Sequence, residues 1–212
     1  MSQNDKRIKE RYNRIAPIYD KLEFIMEQGK MGTWRKKLWE QVSKIAAEKK
    51  EVRLLEAGVG TGKNIPHYPS VSEAYAIDFS KKMLAEAKKK TDKSELSLQL
   101  LEMDIQNMSF PNDYFDIIVT SCVFCSVPDP VKGLKELKRV CKADGKIIML
   151  EHMRTKKEPL GYLMDTFNWI SLLTWGANIN RKTMENIDQA GLKVEEEKEL
   201  MLDIVKELVL TP

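Results

Sequence analysis

A chain of 212 residues is long enough for one domain with a sizeable core and too short for two ordinary ones. Hydrophobic residues at 42% and charged residues at 32% exclude a disordered chain, and a formal net charge of +3 is too weak to imply nucleic acid as a partner. The charge is uneven: residues 1–50 carry thirteen Lys/Arg against seven Asp/Glu, a bias that suits either an anionic surface or a solvated helix face.

In chain order, the opening "MSQNDKRIKE" lacks an apolar signal region, and no run reaches the roughly 18 apolar residues needed to cross a bilayer, so a cytoplasmic protein is expected. Two amphipathic helices come first. Ile8, Tyr12 and Ile15 share a face of "IKERYNRI", and Trp34, Leu38, Val42, Ile45 and Ala46 share one over 33–47, with "APIYDKLEF" as a Pro-broken connector. From residue 50 onward short apolar runs alternate with helical patterns, the signature of an α/β domain with a mostly parallel sheet. Strands are predicted at 52–57, 73–78, 96–104, 114–121, 145–152, 192–200 and 203–211, the last two antiparallel because only a turn separates them. The helices between them are a short turn at 62–67, then 80–90 capped by Ser80, 130–141, and 183–191 ending in a glycine. An insert at 158–180 carries Leu160, Leu163, Met164, Phe167, Trp169, Ile170, Leu172, Leu173 and Trp175 on more than one helical face, flanked by Lys156, Lys157, Arg181 and Lys182. Such a helix is buried or touches something apolar. Cys122, Cys125 and Cys141 are an odd number outside any disulfide-rich context and read as reduced thiols that pack or line a pocket, with no metal site expected.

The stretch "LLEAGVGTGKN" sets Gly58, Gly60 and Gly62 directly behind a strand, where a turn without Cβ atoms lets the backbone approach a ligand. A dinucleotide-binding G-x-G-x-x-G would need glycine where Lys63 stands, and the G-K-[ST] of a phosphate loop is missing. Acidic residues indicate a nucleoside without phosphate. Asp78 ends the second strand, where a carboxylate accepts from ribose hydroxyls; Asp104 ends the third; Glu56 precedes the first glycine. Three carboxylates around one crevice repel a pyrophosphate and tolerate a cation such as a sulfonium.

With these motifs and "AIDFSKKMLAEAKK", "EMDIQNMSFPNDYFDIIVTSCVFCSVPDPVKGLKELKRVCKADGKIIMLEH" and "RYNRIAPIYD", the chain resembles the class I S-adenosylmethionine-dependent methyltransferases over nearly all of residues 11–212. The resemblance implies a Rossmann-like seven-stranded sheet with helices on both faces, residues 1–50 as a helical lid of the same domain, 51–212 as the methyltransferase domain and 156–182 as a helical insert. It implies S-adenosyl-L-methionine as cofactor, with Gly58, Gly60 and Gly62 along the methionine part, Asp78 on the ribose, and Phe79 against adenine. Asp104 and Ile105 would read the adenine edge, Ser121 or Cys122 would lie near the sulfonium, and Glu56 and Met83 complete the cofactor-binding set. Tyr19 of "APIYD" would approach the methionyl end and take a catalytic part through its hydroxyl or its ring; His152 of "LEHM" is the candidate base for an amine nucleophile, or else a structural histidine.

The opening "Y-x-x-x-A-x-x-Y-D" and the "F-P-x-x-x-F-D" stretch look like the quinone and phosphatidylethanolamine methyltransferases, and the insert with "NINRKTMENIDQAG" like membrane-associated alkyl-thiol methyltransferases, whose hydrophobic N-terminal anchor this sequence lacks. The expected function is methyl transfer to an amphiphilic acceptor, foremost the amine of phosphatidylethanolamine, with peripheral contact to anionic membrane. A small thiol or quinone acceptor is the alternative, and a non-catalytic cofactor-binding sensor or partner subunit the third.

Overall fold

The computed structural model describes residues 3–21, 30–91, 97–174 and 176–212, so Trp175, residues 22–24 of the connector and residue 96 of the predicted third strand lie outside the described residues. Strands β1 (Arg53–Ala57), β2 (Glu73–Asp78), β3 (Leu98–Glu102), β4 (Phe115–Ser121), β5 (Cys141–His152), β6 (Lys193–Met201) and β7 (Val205–Thr211) form one sheet in the order β3-β2-β1-β4-β5-β7-β6. The pairings from β3 through β5 are parallel, and β7 runs antiparallel to both β5 and β6. This is the α/β sheet that the alternating pattern predicts.

Boundaries shift where side chains redirect the backbone. The third strand stops at Glu102, because Asp104 folds its carboxylate back onto the Gln106 N–H at 2.9 Å and turns the chain. Strand β5 starts at Cys141 instead of 145: the preceding helix ends at Val140, and Cys141 pairs at once with Phe115 before the register shifts. The last strand begins at Val205, after a turn in which Leu202 takes a φ of 50°.

The central strands are nearly continuous apolar runs because both faces are covered. Leu55, Ala57, Ile118 and Met149 point to one face, packed with Leu134 and Leu137 of helix α4 (Pro130–Val140) and Ile187 of α6 (Thr183–Gln189). Leu54, Ile117, Val119, Ile148 and Leu150 point to the other, beneath Leu38, Trp39, Val42 and Ala46 of α2 (Lys30–Ala47). Trp39 lies off the predicted face yet is 1% exposed, stacked on Tyr68 with ring centroids 4.4 Å apart. Helix α3 (Lys81–Thr91) has the expected cap, with Ser80 Oγ accepting from the Met83 N–H at 3.2 Å, and α6 is followed by Gly191 at φ 71°. Helices α1 (Gln3–Ile15) and α5 (Leu160–Thr174) lie outside this two-faced core.

At the sheet end remote from the glycine turn, the buried Asp116 carboxylate accepts from the Arg53 N–H at 3.0 Å, from Lys142 at 2.8 Å and from Lys49 at 3.3 Å. Burial raises its proton affinity, but that N–H and the two ammoniums outweigh it and hold the carboxyl below its ordinary range. Asp116→Ala should cost about 1–3 kcal/mol in urea denaturation at pH 7. The difference should be full above the unfolded carboxyl value of about 3.9 and vanish as pH falls through the lower folded value.

Candidate functional site

The site grows from the turn after β1, where Gly58, Gly60 and Gly62 have φ of 83°, 54° and 78°, the left-handed region that disfavours any side chain. The N–H groups of Gly58 and Val59 donate to the Ile77 carbonyl at 2.8 and 3.0 Å, lashing the turn to β2. The glycines then differ. A Cβ on Gly62 would sit 3.0 Å from the Ala87 backbone of α3 and one on Gly58 2.4 Å from the Val123 side chain, whereas Gly60 faces open space.

Asp78 fixes this path: its Oδ2 accepts from the Gly60 N–H at 2.9 Å and its Oδ1 from the Ser80 N–H at 2.8 Å. Burial pushes its carboxyl up to about 6 despite both donors. Behind the turn, the fully buried Glu56 carboxylate accepts from Asn64 Nδ2 and the Tyr68 hydroxyl, and burial raises it to about 7 against those two bonds.

A cavity opens over the carboxyl ends of β1–β4, walled by Gly58–Thr61, Ile77–Phe79, Met103–Gln106 and Ser121–Val123, with Met83 at its floor. The N-terminal part of the chain lines it too, through Asp5, Tyr12, Tyr19 and Arg35. That segment is bonded down: Lys9 meets Glu102 at 2.6 Å, Ser80 Oγ donates to Asn13 at 2.8 Å, Lys90 meets Asp20 at 3.0 Å, and Arg11 donates to the Leu172 carbonyl of α5.

Of the residues singled out in the sequence, Tyr19, Gly58, Gly60, Asp78, Phe79, Met83, Asp104, Ile105, Ser121 and Cys122 line this one cavity. Glu56, Gly62 and His152 do not. Glu56 is a buttress turned inward to Asn64 and Tyr68, and Gly62 permits close packing on α3. His152 pairs with Val205 in the sheet and hydrogen-bonds the Ile179 backbone; burial lowers its proton affinity, and it reaches no wall of the cavity. Its placement is that of the structural histidine.

Sequence reasoning missed other residues at and around the cavity, Tyr12, Arg35, Asn64 and Glu151 among them. Tyr12 stands on the amphipathic face and opens the "Y-x-x-x-A-x-x-Y-D" motif but is given no site role in the sequence reading; its ring lies 5.7 Å from Phe79 and 6.2 Å from Tyr19, and its hydroxyl bonds Ser126, with burial holding that hydroxyl well above the ordinary phenol range. Arg35 and Asn64 also line the cavity. Glu151, buried under the β4 tip, accepts from Thr120 Oγ1 at 3.0 Å and from the Val123 and Phe124 N–H groups at 3.1 and 3.2 Å. Repeated aromatics in "RYNRIAPIYD" were the available signal for Tyr12. Cys125 donates to the Cys122 carbonyl at 3.2 Å, and burial pushes its thiol up to about 12, which suits packing.

A family described as a methyltransferase domain matches residues 55–149. A demethylmenaquinone methyltransferase of Thermus thermophilus is 30% identical over 153 residues, 71% of this chain and 68% of that protein. The chain belongs to the S-adenosyl-L-methionine-dependent methyltransferases, and S-adenosyl-L-methionine is its cofactor. Among other relatives, a phosphatidylethanolamine N-methyltransferase of Cereibacter sphaeroides is 36% identical over 110 residues; this covers 51% of the chain and 54% of that protein, about half its length. A thiol S-methyltransferase of Rattus norvegicus is 27% identical over 76% of this chain and 68% of that one. The fold is shared with a crystal structure titled as a SAM-dependent methyltransferase from Aquifex aeolicus, with a TM-score of 0.59 at 22% identity over 81% of this chain and 88% of that one.

The two glycine roles are separable. Gly62→Ala should lower stability by roughly 2 kcal/mol or more, since backbone strain adds to a clash with α3. Gly60→Ala should cost about 1–2 kcal/mol for φ alone and show its larger effect in cofactor affinity. Thermal unfolding and calorimetric titration with S-adenosylhomocysteine check both.

Proposed function

We propose that this chain methylates an amphiphilic acceptor, foremost the amine of phosphatidylethanolamine, at a bilayer surface. The observation that carries the reading is α5, which presents Tyr162, Leu163, Phe167, Trp169, Ile170 and Leu173 to solvent at 41–67% exposure while burying only Gly161 and Met164. An apolar face of that extent marks an interaction surface. Exposed Lys156, Lys157 and Lys182 flank it, which favours anionic lipid; Arg181 is instead committed to the Val127 carbonyl at 2.9 Å. No helix among the described residues is long and apolar enough to cross a membrane. Through the bond from Arg11 to Leu172, α5 adjoins the segment that covers the cavity.

The cavity fits the cofactor by its own chemistry. Gly60 leaves open space where a Cβ would intrude, and the Asp78 carboxylate retains lone pairs beyond its two backbone donors. In this reading Asp78 accepts from the ribose hydroxyls, Phe79 and Met83 pack the adenine, Asp104 and Ile105 meet its edge, and Gly58 and Gly60 lie along the methionyl part. Ser121 and Cys122 stand near the reacting centre, and Glu56 and Gly62 act behind the cradle. When bound, the cofactor supplies a methyl carbon already activated by positive sulfur. The protein's work is alignment and exclusion of water, done by residues 1–50 as a lid on the domain formed by 51–212, with 156–182 as the acceptor-side insert. Tyr12, Tyr19 and Phe79 gather at the cavity as aromatic faces, which hold a cation with about 0.5–2 kcal/mol per contact. Tyr19, which lines the cavity, is the catalytic candidate in this reading, whereas His152 lies outside the cavity and is given no part in it.

Likeness to the Rattus norvegicus thiol S-methyltransferase and the Thermus thermophilus quinone-precursor enzyme supports a second reading, with α5 as a closed lid over a small acceptor. Labelled cofactor offered with phosphatidylethanolamine in anionic vesicles, small thiols or demethylmenaquinone separates them. Label should enter the vesicle lipid, and Phe167→Ser with Trp169→Ser should reduce both vesicle sedimentation and that transfer severalfold. Lipid-independent thiol methylation overturns the lipid reading; binding without transfer to any acceptor favours a sensor.

Ribose hydroxyls donate best to ionised Asp78, so cofactor affinity should rise with pH through about 6 and level off above it. Asp78→Asn should weaken binding by about 1.5–3 kcal/mol at pH 8 and flatten this profile in calorimetry.

A further inference from the structure

The cavity wall that follows β4 is irregular backbone held in a costly shape. Ser121, Cys122, Val123, Ser126, Val127 and Pro128 line the cavity, and Cys122, which carries a Cβ, sits at a φ of 55° in the left-handed region. Such a conformation persists only where its surroundings over-determine it. Two sets of contacts do so. On the outer side, Arg181 Nη2 donates to the Val127 carbonyl at 2.9 Å and the Asn178 N–H to the Cys125 carbonyl at 2.8 Å. On the inner side, the Cys122 N–H donates to the Leu150 carbonyl at 2.8 Å, and the next two amides, Val123 and Phe124, end on the Glu151 carboxylate, one on each oxygen, at 3.1 and 3.2 Å. Val123 passes this position on to the glycine turn: a Cβ on Gly58 would lie 2.4 Å from its side chain, so wall and turn meet without room to slide.

Glu151 is fully buried, and its Oε1 also accepts from Thr120 Oγ1 at 3.0 Å. A carboxylate costs more to desolvate than an amide, yet it alone offers two acceptor oxygens and no donor. Glutamine, or the protonated acid, would set a hydrogen against one of the converging donors. Burial pushes the carboxyl up to about 7 against those donors, so both forms are accessible near neutral pH. The charged and titratable groups that face it are the Arg181 guanidinium, which favours the ionised form; the Cys125 thiol, itself pushed up to about 12; and Lys206, its cross-strand neighbour on β7, which is held by Glu197 and Glu199. Helices α4 and α6 present apolar Leu134, Leu137 and Ile187 to this face of the sheet.

We propose that Glu151 is a positioning residue for methyl transfer: through the Val123 and Phe124 amides its carboxylate sets where Ser121 and Cys122 stand against the transferred group. It touches neither cofactor nor acceptor and acts only through the wall it holds. This rests on the placement of Ser121 and Cys122 near the reacting centre proposed above. Alignment is the protein's main contribution to this reaction, so a small displacement of the wall is felt at the reacting carbon more than at the nucleoside.

The test is calorimetric titration of the full chain with S-adenosylhomocysteine, which lacks the transferred methyl group, and with sinefungin, in which a carbon bearing an ammonium replaces the methylated sulfur. The ratio of the two affinities reads the region of the transferred group and cancels effects common to both ligands, such as protonation of Asp78. At pH 8, Glu151→Gln should shift the ratio against sinefungin by about 3- to 10-fold, and Glu151→Asp, which keeps two acceptor oxygens, should retain part of the wild-type ratio. In wild type the same shift should appear as pH falls through about 7 and Glu151 gains a proton, whereas Glu151→Gln should stay flat. Equal weakening of both ligands in Glu151→Gln would make Glu151 structural only, and an unchanged ratio would show that the wall keeps its place without it; either overturns the proposal. If Glu151→Gln does not fold, the wild-type pH profile carries the test, and a ratio flat through pH 7 overturns it. The placement of the reacting centre is judged separately: Ser121→Ala with Cys122→Ser should move the ratio, and if it does not, that placement fails, while faster amide exchange at Val123 and Phe124 in Glu151→Gln still reports the clamp.

Discussion

The hydrogen bond from the Gly60 amide to the Asp78 carboxylate, 2.9 Å long, is the contact on which the site depends. It joins the loop leaving one strand to the tip of its neighbour and holds a left-handed backbone that would otherwise be free to rearrange. Glu56 secures the same loop from behind, through Asn64 and Tyr68. Two buried carboxylates on neighbouring strand ends are costly to desolvate, and donors that the fold supplies offset part of that cost for each. Their orientations divide the labour: one faces the cavity and keeps acceptor capacity, the other spends its capacity on the protein.

The sheet was legible because strands covered on both faces become apolar runs that periodicity cannot disguise. The 73–78 strand was placed to the residue, and the glycine turn and Asp78 followed from strand-end logic. The misplacement of Glu56 was avoidable. Alternation along β1 puts Glu56 on the side of Leu54, facing the layer beneath α2, while Leu55 and Ala57 take the other side. The same rule sets His152 with Ile148 and Leu150. Arg35 was hidden for another reason: it belongs to a helix whose pattern reports only which face is apolar, and it reaches the cavity through tertiary packing with strands far along the chain.

Two segments outside the alternating pattern, one before the first strand and one after the fifth, meet at Arg11 and Leu172. Relatives named for an amine lipid, a quinone precursor and a thiol share the methyltransferase core. The chemistry explains how: a methyl carbon bonded to cationic sulfur asks little of the protein beyond alignment, so the walls that admit the nucleophile can vary while the cradle stays constant.

The position of α2 has a consequence for how the chain assembles. Its apolar side, Leu38, Trp39 and Val42, packs on Val52 and Leu54 nearby and also on residues as distant as Ile117, Leu150 and Val205. The layer beneath this helix is thus completed by strands far along the chain, a long-range closure that slows folding and leaves a sticky helix face uncovered until they are in place. The helix that carries Arg35 is seated only when strands well beyond it in the chain are in place, so that side chain lines the cavity only in the completed fold.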